Sequence, residues 1–157
     1  MSTKLTKTQL PMIESKTLQL VFAAARAQDE ISRYLSAKLT KQGYVSATPA
    51  TLNFLSTLEC GVNYGSEIAR TLGVSRQQVA KTVRHFCQLG YLEQVESTGK
   101  QKKIIFTRSG EQLMSDSRRL LAELDGIIAE ELGDAILAAT ENGLKDIQGV
   151  VAQKSAI

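Results

Sequence analysis

Apolar residues recur along this chain mostly at helical spacing. From about Glu14 to Gln42, Leu18, Val21, Phe22, Ala25, Ile31, Leu35 and Leu39 fall on one stripe, with Gln28, Asp29, Arg33 and Lys41 between them, which predicts a long first helix ended by Gly43. Thr48-Pro49 reads as an N-cap followed by a proline at the first helical position, where a missing N–H costs nothing. The second helix carries Leu52, Leu55 and Leu58 inward and stops near Cys60-Gly61. Ile68, Ala69 and Leu72 then form the stripe of a short helix, and Gly73 stands where a left-handed C-terminal cap belongs. Ser75 begins the next helix, with Gln78 three residues on as its capping-box partner and Val74 and Val79 as a hydrophobic staple. Two short helices joined by Gly73-Val74-Ser75 predict a helix-turn-helix.

The pattern then changes. Tyr91–Glu96 and Lys102–Thr107 alternate as two short strands, and Ser97-Thr98-Gly99-Lys100 supplies turn residues between them. A hairpin directly after a helix-turn-helix is a wing. Thr107 is the expected N-cap of a fifth helix carrying Leu113, Leu120, Leu121, Leu124, Ile127 and Ile128. Gly133-Asp134 breaks it, and a last helix follows with Ile136, Leu137, Leu144, Ile147 and Val151. Gly143 weakens that last helix by roughly 1 kcal/mol relative to alanine. The expected fold class is mainly α: a winged helix-turn-helix lobe over 46–108, flanked by helices over 12–43 and 109–154 whose wide apolar stripes, more than a small winged-helix core can cover, mark them as dimerisation helices.

Composition narrows the class further. The chain has 157 residues, one domain's worth, with 43% hydrophobic and 22% charged residues, which excludes a largely disordered chain. The longest uninterrupted apolar run, Leu20–Ala25, is six residues, against the roughly 20 a membrane helix needs. The polar N-terminus lacks the apolar core of a secretory signal. Two cysteines, Cys60 and Cys87, form no metal or disulfide pattern, and a cytoplasmic location is expected. His85 is the sole histidine, so no metal or cofactor is expected. With no phosphate loop, dinucleotide glycine pattern or His-Glu-x-x-His, an enzyme is not expected either.

The net charge of +3 hides a gradient. Residues 1–63 carry net +3, residues 64–108 net +5, and residues 109–157 net −5. A positive field concentrated in the middle third is the footprint of a polyanion site. On a helical wheel at about 100° per residue, Val79, Val83 and Phe86 fall on one side of the fourth helix. Gln77, Lys81, Arg84 and Gln88 fall opposite, flanked by Gln78 and His85, and no carboxylate occurs from 75 to 89. Arginine suits the O6/N7 edge of guanine and glutamine the N6/N7 edge of adenine. The candidate DNA-binding residues are therefore Ser75, Arg76, Gln77, Gln78, Lys81 and Arg84, with Lys100 and Lys102 on the wing. Arg76 and Gln77, at the start of the helix, are expected to enter the groove most deeply. Lys81 and Arg84 suit base edges or phosphates, and the wing lysines, including Lys103, suit phosphates or the minor groove. The lysines also protect an exposed strand edge.

This order of parts resembles the MarR family of bacterial transcription regulators over nearly the whole chain. The resemblance is carried by Ile68-Ala69-Arg70-Thr71-Leu72-Gly73-Val74-Ser75, by Val79 to Leu92 ending in Leu89-Gly90-Tyr91-Leu92, and by Phe106-Thr107-Arg108-Ser109-Gly110, which looks like the family's Leu-Thr-x-x-Gly. It departs at the wing, where Thr98 and Lys100 stand at the family's Asp-x-Arg. A lysine makes a point-charge contact where arginine makes a fork, so shallower wing insertion is expected. The resemblance implies a homodimer held by the terminal helices, with two recognition helices on a pseudo-palindromic operator of double-stranded DNA. It also implies a repressor released by a small aromatic or lipophilic effector, for which Phe22, Arg26, Tyr34, Phe54 and Leu58 are the candidate pocket. A redox-responsive regulator using Cys60 and a winged-helix protein-interaction module are the alternatives.

Overall fold

The computed structural model describes residues 14–99 and 101–156. The first two residues of the expected 12–43 helical region, and Lys100 of the wing, lie outside the described residues. The order of elements is α1 (Lys16–Lys41), α2 (Pro49–Glu59), α3 (Gly65–Leu72), α4 (Arg76–Gln88), β1 (Leu92–Glu96), β2 (Lys102–Phe106), α5 (Arg108–Leu132) and α6 (Ile136–Ser155). The chain divides into two compact units, one up to Glu111 and one from Gln112 onward.

The helix boundaries have local causes. The hydroxyls of Ser15, Thr48 and Ser75 each accept from a backbone amide in the first turn of α1, α2 and α4, donated by Leu18, Thr51 and Gln78 at 3.2, 3.2 and 3.1 Å. Pro49 occupies the first turn of α2. Gly73 closes α3 at φ 66°, ψ 31°, where a side chain with a Cβ is disfavoured, and Val74 then leads to Ser75.

In the first unit, the core gathers Leu35 and Leu39 of α1, Leu52, Phe54, Leu55 and Leu58 of α2, and Ile68 and Ala69 of α3. Val79, Val83 and Phe86 of α4, with Leu92 and Ile104 from the strands and Ala47 and Tyr91 from the connecting segments, join it. The rings of Phe54 and Phe86 meet at 5.3 Å between centroids and 59° between planes, a tilted pair of the favourable kind. The N-terminal half of α1 is solvent-exposed, and Val21, Phe22 and Ile31 keep much of their surface open.

β1 and β2 pair antiparallel, with Leu92 opposite Phe106 and Glu96 opposite Lys102. Thr107 fastens the end of the hairpin. Its amide donates to the Tyr91 carbonyl at 3.0 Å, and its hydroxyl donates to the Gly90 carbonyl while accepting from the Gly110 amide. Gly110 is required there, because a Cβ at that position would collide with the Tyr91 carbonyl.

In the second unit, Leu113, Met114, Ser117 and Leu120 are buried along the first half of α5. The rest of α5 and all of α6 are largely exposed. Leu132, Ile136, Leu137, Ile147, Val150 and Val151 keep between 39% and 68% of their surface open. α6 runs through Gly143 without a break.

Candidate nucleic-acid interface

α4 is positioned from both ends. Ser75 caps its start, and the Tyr91 amide donates to the Phe86 carbonyl beyond its last turn. Val79, Val83 and Phe86 are nearly fully buried, which fixes the helix about its own axis and turns the opposite side to solvent. Ser75, Gln77, Gln78, Lys81 and Arg84 rim one open hollow of about 470 Å³ on that outward side. These are five of the eight residues that the sequence nominates for DNA.

Arg76 lies elsewhere. One helical turn separates it from Val79 and Ala80, so it belongs to the flank of α4 that faces the wing. There it lines a second hollow of about 420 Å³, together with Ser66 of α3 and Gln94, Gln101 and Lys102 of the wing. Ala80 borders both hollows. Lys102 sits 3.8 Å from the Glu96 carboxylate across the hairpin, with both side chains more than half exposed, a pair worth little in water.

The wing is tied to the start of α3 by interactions that helical and strand periodicity do not reveal. The Ile104 amide donates to the Asn63 carbonyl at 2.8 Å, and the Asn63 side-chain amide donates to the Ile104 carbonyl at 3.2 Å. The hydroxyls of Tyr64 and Ser97 share a hydrogen bond of 2.9 Å. Asn63 and Tyr64 thus hold β2 and the base of the turn in place. Their partners are 41 and 33 residues away, so no local signal singles them out.

The five residues expected to form an effector pocket differ in burial. Phe54 and Leu58 are in the core, Tyr34 is half-buried beside Lys38, whose ammonium lies 5.5 Å from its ring centroid, and Phe22 and Arg26 are exposed. Phe54 reaches a third hollow of about 310 Å³ between α2, α3 and α4, with Val74, Thr82, His85 and Phe86 in its walls. Cys60 is exposed at the end of α2. Cys87 is half-buried, and burial, helped by the Glu93 carboxylate, pushes its thiol above the usual range. Among the described residues no group of three His, Cys, Asp or Glu side chains could hold a metal ion. No described helix is long and apolar enough to cross a membrane.

No protein-family model matches the sequence, and no curated protein matches it significantly. Solved structures do match the fold. A MarR transcriptional regulator from Methanosarcina mazei Go1 superposes with a TM-score of 0.70 at 14% identity, covering 88% of this chain and 99% of that one. Wild-type MarR from E. coli in its apo form gives 0.63 at 16% identity, covering 88% and 98%. A cysteine-to-serine variant of E. coli MarR complexed with operator DNA gives 0.65 at 17% identity, covering 88% and 99%. The fold is therefore the winged helix of the MarR regulators.

Proposed function

Starting from a MarR-like winged helix, we propose that this chain is a sequence-specific, double-stranded DNA-binding transcriptional regulator. The observation that carries the reading is the outward side of α4: amides and cations around one open hollow, second in a helix-turn-helix, with no carboxylate from 75 to 89. Gln77 and Gln78 can form bidentate pairs with adenine, and Lys81 and Arg84 supply charge to guanine edges or phosphates. The similarity in fold to an E. coli MarR variant complexed with operator DNA supports the reading.

The regulator acts as a homodimer. Exposed apolar side chains at the end of α5 and along α6 support this, because a large exposed apolar surface marks a site of protein–protein contact. Two α4 helices then enter successive major grooves of a pseudo-palindrome, about one helical turn apart. Bound there, the protein represses by excluding other proteins from the site, in the cytoplasm where bacterial DNA lies. An aromatic or lipophilic anion releases it. Phe22 and Arg26, one turn apart and both exposed on α1, offer such a ligand a ring and a cation. Cys60, the exposed thiol, is the residue on which redox control would rest.

Selection from a random duplex library, followed by a salt titration on the winning sequence, tests the reading. Enrichment of a pseudo-palindrome and a steep salt slope are expected. No enrichment, or binding indifferent to salt, would favour a winged helix that binds only protein.

A further inference from the structure

We propose that the hollow between α4 and the wing seats a phosphate of the DNA backbone, with Arg76 and Lys102 as its cations and Tyr64 as the residue that positions its wing wall. The inference rests on the DNA-binding reading above and assigns, within it, which residues hold the duplex and which read it.

The chemistry of the hollow selects an oxyanion. Its polar lining comes from Ser66, Arg76, Gln94, Gln101 and Lys102, which bring two cations and several N–H and O–H donors, and none of its lining residues is a carboxylate. The nearest acid to Lys102 is Glu96 at 3.8 Å, an exposed and loose partner that a phosphate diester can displace. The floor, formed by Val79, Val83 and Ile104, is apolar and nearly fully buried, so a bound group is held at the rim.

Position selects DNA as the source of that phosphate. Ala80 borders both this hollow and the one rimmed by Gln77, Gln78, Lys81 and Arg84. A duplex whose base edges meet the second hollow therefore carries its sugar-phosphate chain past Ala80 into the first. The wing wall is preorganised for it: two hydrogen bonds join Asn63 to Ile104, and the Tyr64–Ser97 bond holds the root of the turn. A receptor fixed before binding loses less entropy when the ligand arrives. Arg76 accordingly positions the duplex, although its place at the start of α4 alone would assign it to base reading.

The experiment uses the full-length protein and the operator recovered from random duplex DNA. Arg76→Gln and Lys102→Gln should each weaken every single-base operator variant by the same factor, and each should make the salt slope shallower by about 0.9 for every phosphate it no longer neutralises. Ethylation of individual phosphates should interfere with wild-type binding at one phosphate per half-site, and both variants should lose sensitivity at that same phosphate. Tyr64→Phe should weaken that interference, leaving the base preferences and the helical circular dichroism signal unchanged. A base-selective loss with Arg76→Gln, an unchanged salt slope, or two different phosphates for the two variants would each overturn the seat. So would inorganic phosphate, at constant ionic strength, occupying the hollow without competing with DNA, since the site would then belong to a free anion. If no duplex is recovered at all, the DNA-binding reading fails and the seat with it. A recovered operator with unchanged slopes removes the seat alone.

Discussion

The hydroxyl of Tyr91 donates to the carbonyl of Val45 at 2.8 Å, joining the segment that follows α4 to the loop that precedes α2. Tyr91 also donates its backbone amide to Phe86 and accepts from Thr107, so one buried residue ties together α4, the wing and the start of α5. Tyr91→Phe should lower the unfolding free energy by about 1 kcal/mol, the usual net value of such a bond. Burial also pushes the phenol above its ordinary value of 10.0. The folded state then holds that proton more tightly than the unfolded state, so stability is lost as pH rises above the unfolded value. Urea titrations at about pH 9 and about pH 11, on either side of an ordinary phenol, should show a smaller fall for Tyr91→Phe than for wild type. An equal fall in both proteins would count against the buried phenol.

Two glycines should be intolerant for different reasons. Gly73→Val forces a β-branched residue into the left-handed region and should cost roughly 1–2 kcal/mol. Gly110→Ala drives a methyl group into the Tyr91 carbonyl and should cost about 1–3 kcal/mol, the range for overpacking. By contrast, a Cβ at Gly126 meets nothing within 4 Å inside a helix, so Gly126→Ala should raise stability by about 0.5–1 kcal/mol. Thermal denaturation of the three variants gives the order.

The proposed dimer places its apolar contacts on α6. Val150→Glu combined with Val151→Glu should shift sedimentation from dimer to monomer at micromolar concentration while the helical circular dichroism signal is kept. A double variant that sediments as wild type would show that these side chains, each more than half exposed, are not covered by a second copy.

Base reading is expected from Gln77. Gln77→Ala should relax the preference at one position in each half-site, costing about 1–3 kcal/mol there and little elsewhere. Binding to a panel of single-base operator variants measures it. A uniform loss would mean that the reading side of α4 has been misplaced.

The two thiols should differ in reactivity. Cys60 is exposed, whereas burial and Glu93 keep Cys87 protonated at neutral pH, and the thiolate is the form that reacts. Native protein treated with iodoacetamide should carry the label at Cys60 first, as read by peptide mass spectrometry. Preferential labelling of Cys87 would contradict the burial around the end of α4.

Local chemistry determines most of this fold. Helical spacing locates six helices, and the boundaries follow from residues that act within one turn: Thr48-Pro49, Gly73, Ser75 and Thr107. The cap at Ser15 is not legible in the same way, because a lone serine before a weakly patterned stretch is a common sight, and the first helix starts at Lys16, inside the expected boundary. The wheel of α4 likewise separates its buried stripe from its polar side. What periodicity could not decide was the difference between the two flanks of that polar side, because a helix alone has no neighbour to distinguish them. Packing decided it: the wing, held by Asn63 and Tyr64 from far along the chain, lies against one flank, where Arg76 and Lys102 line the same hollow, leaving Gln77 and Lys81 to the open side. The same long-range packing buried Phe54 and Leu58 and left Phe22 and Arg26 in water. Hydrogen bonds between residues 33 to 46 positions apart depend on where the backbone returns, and that is a property of the assembled core.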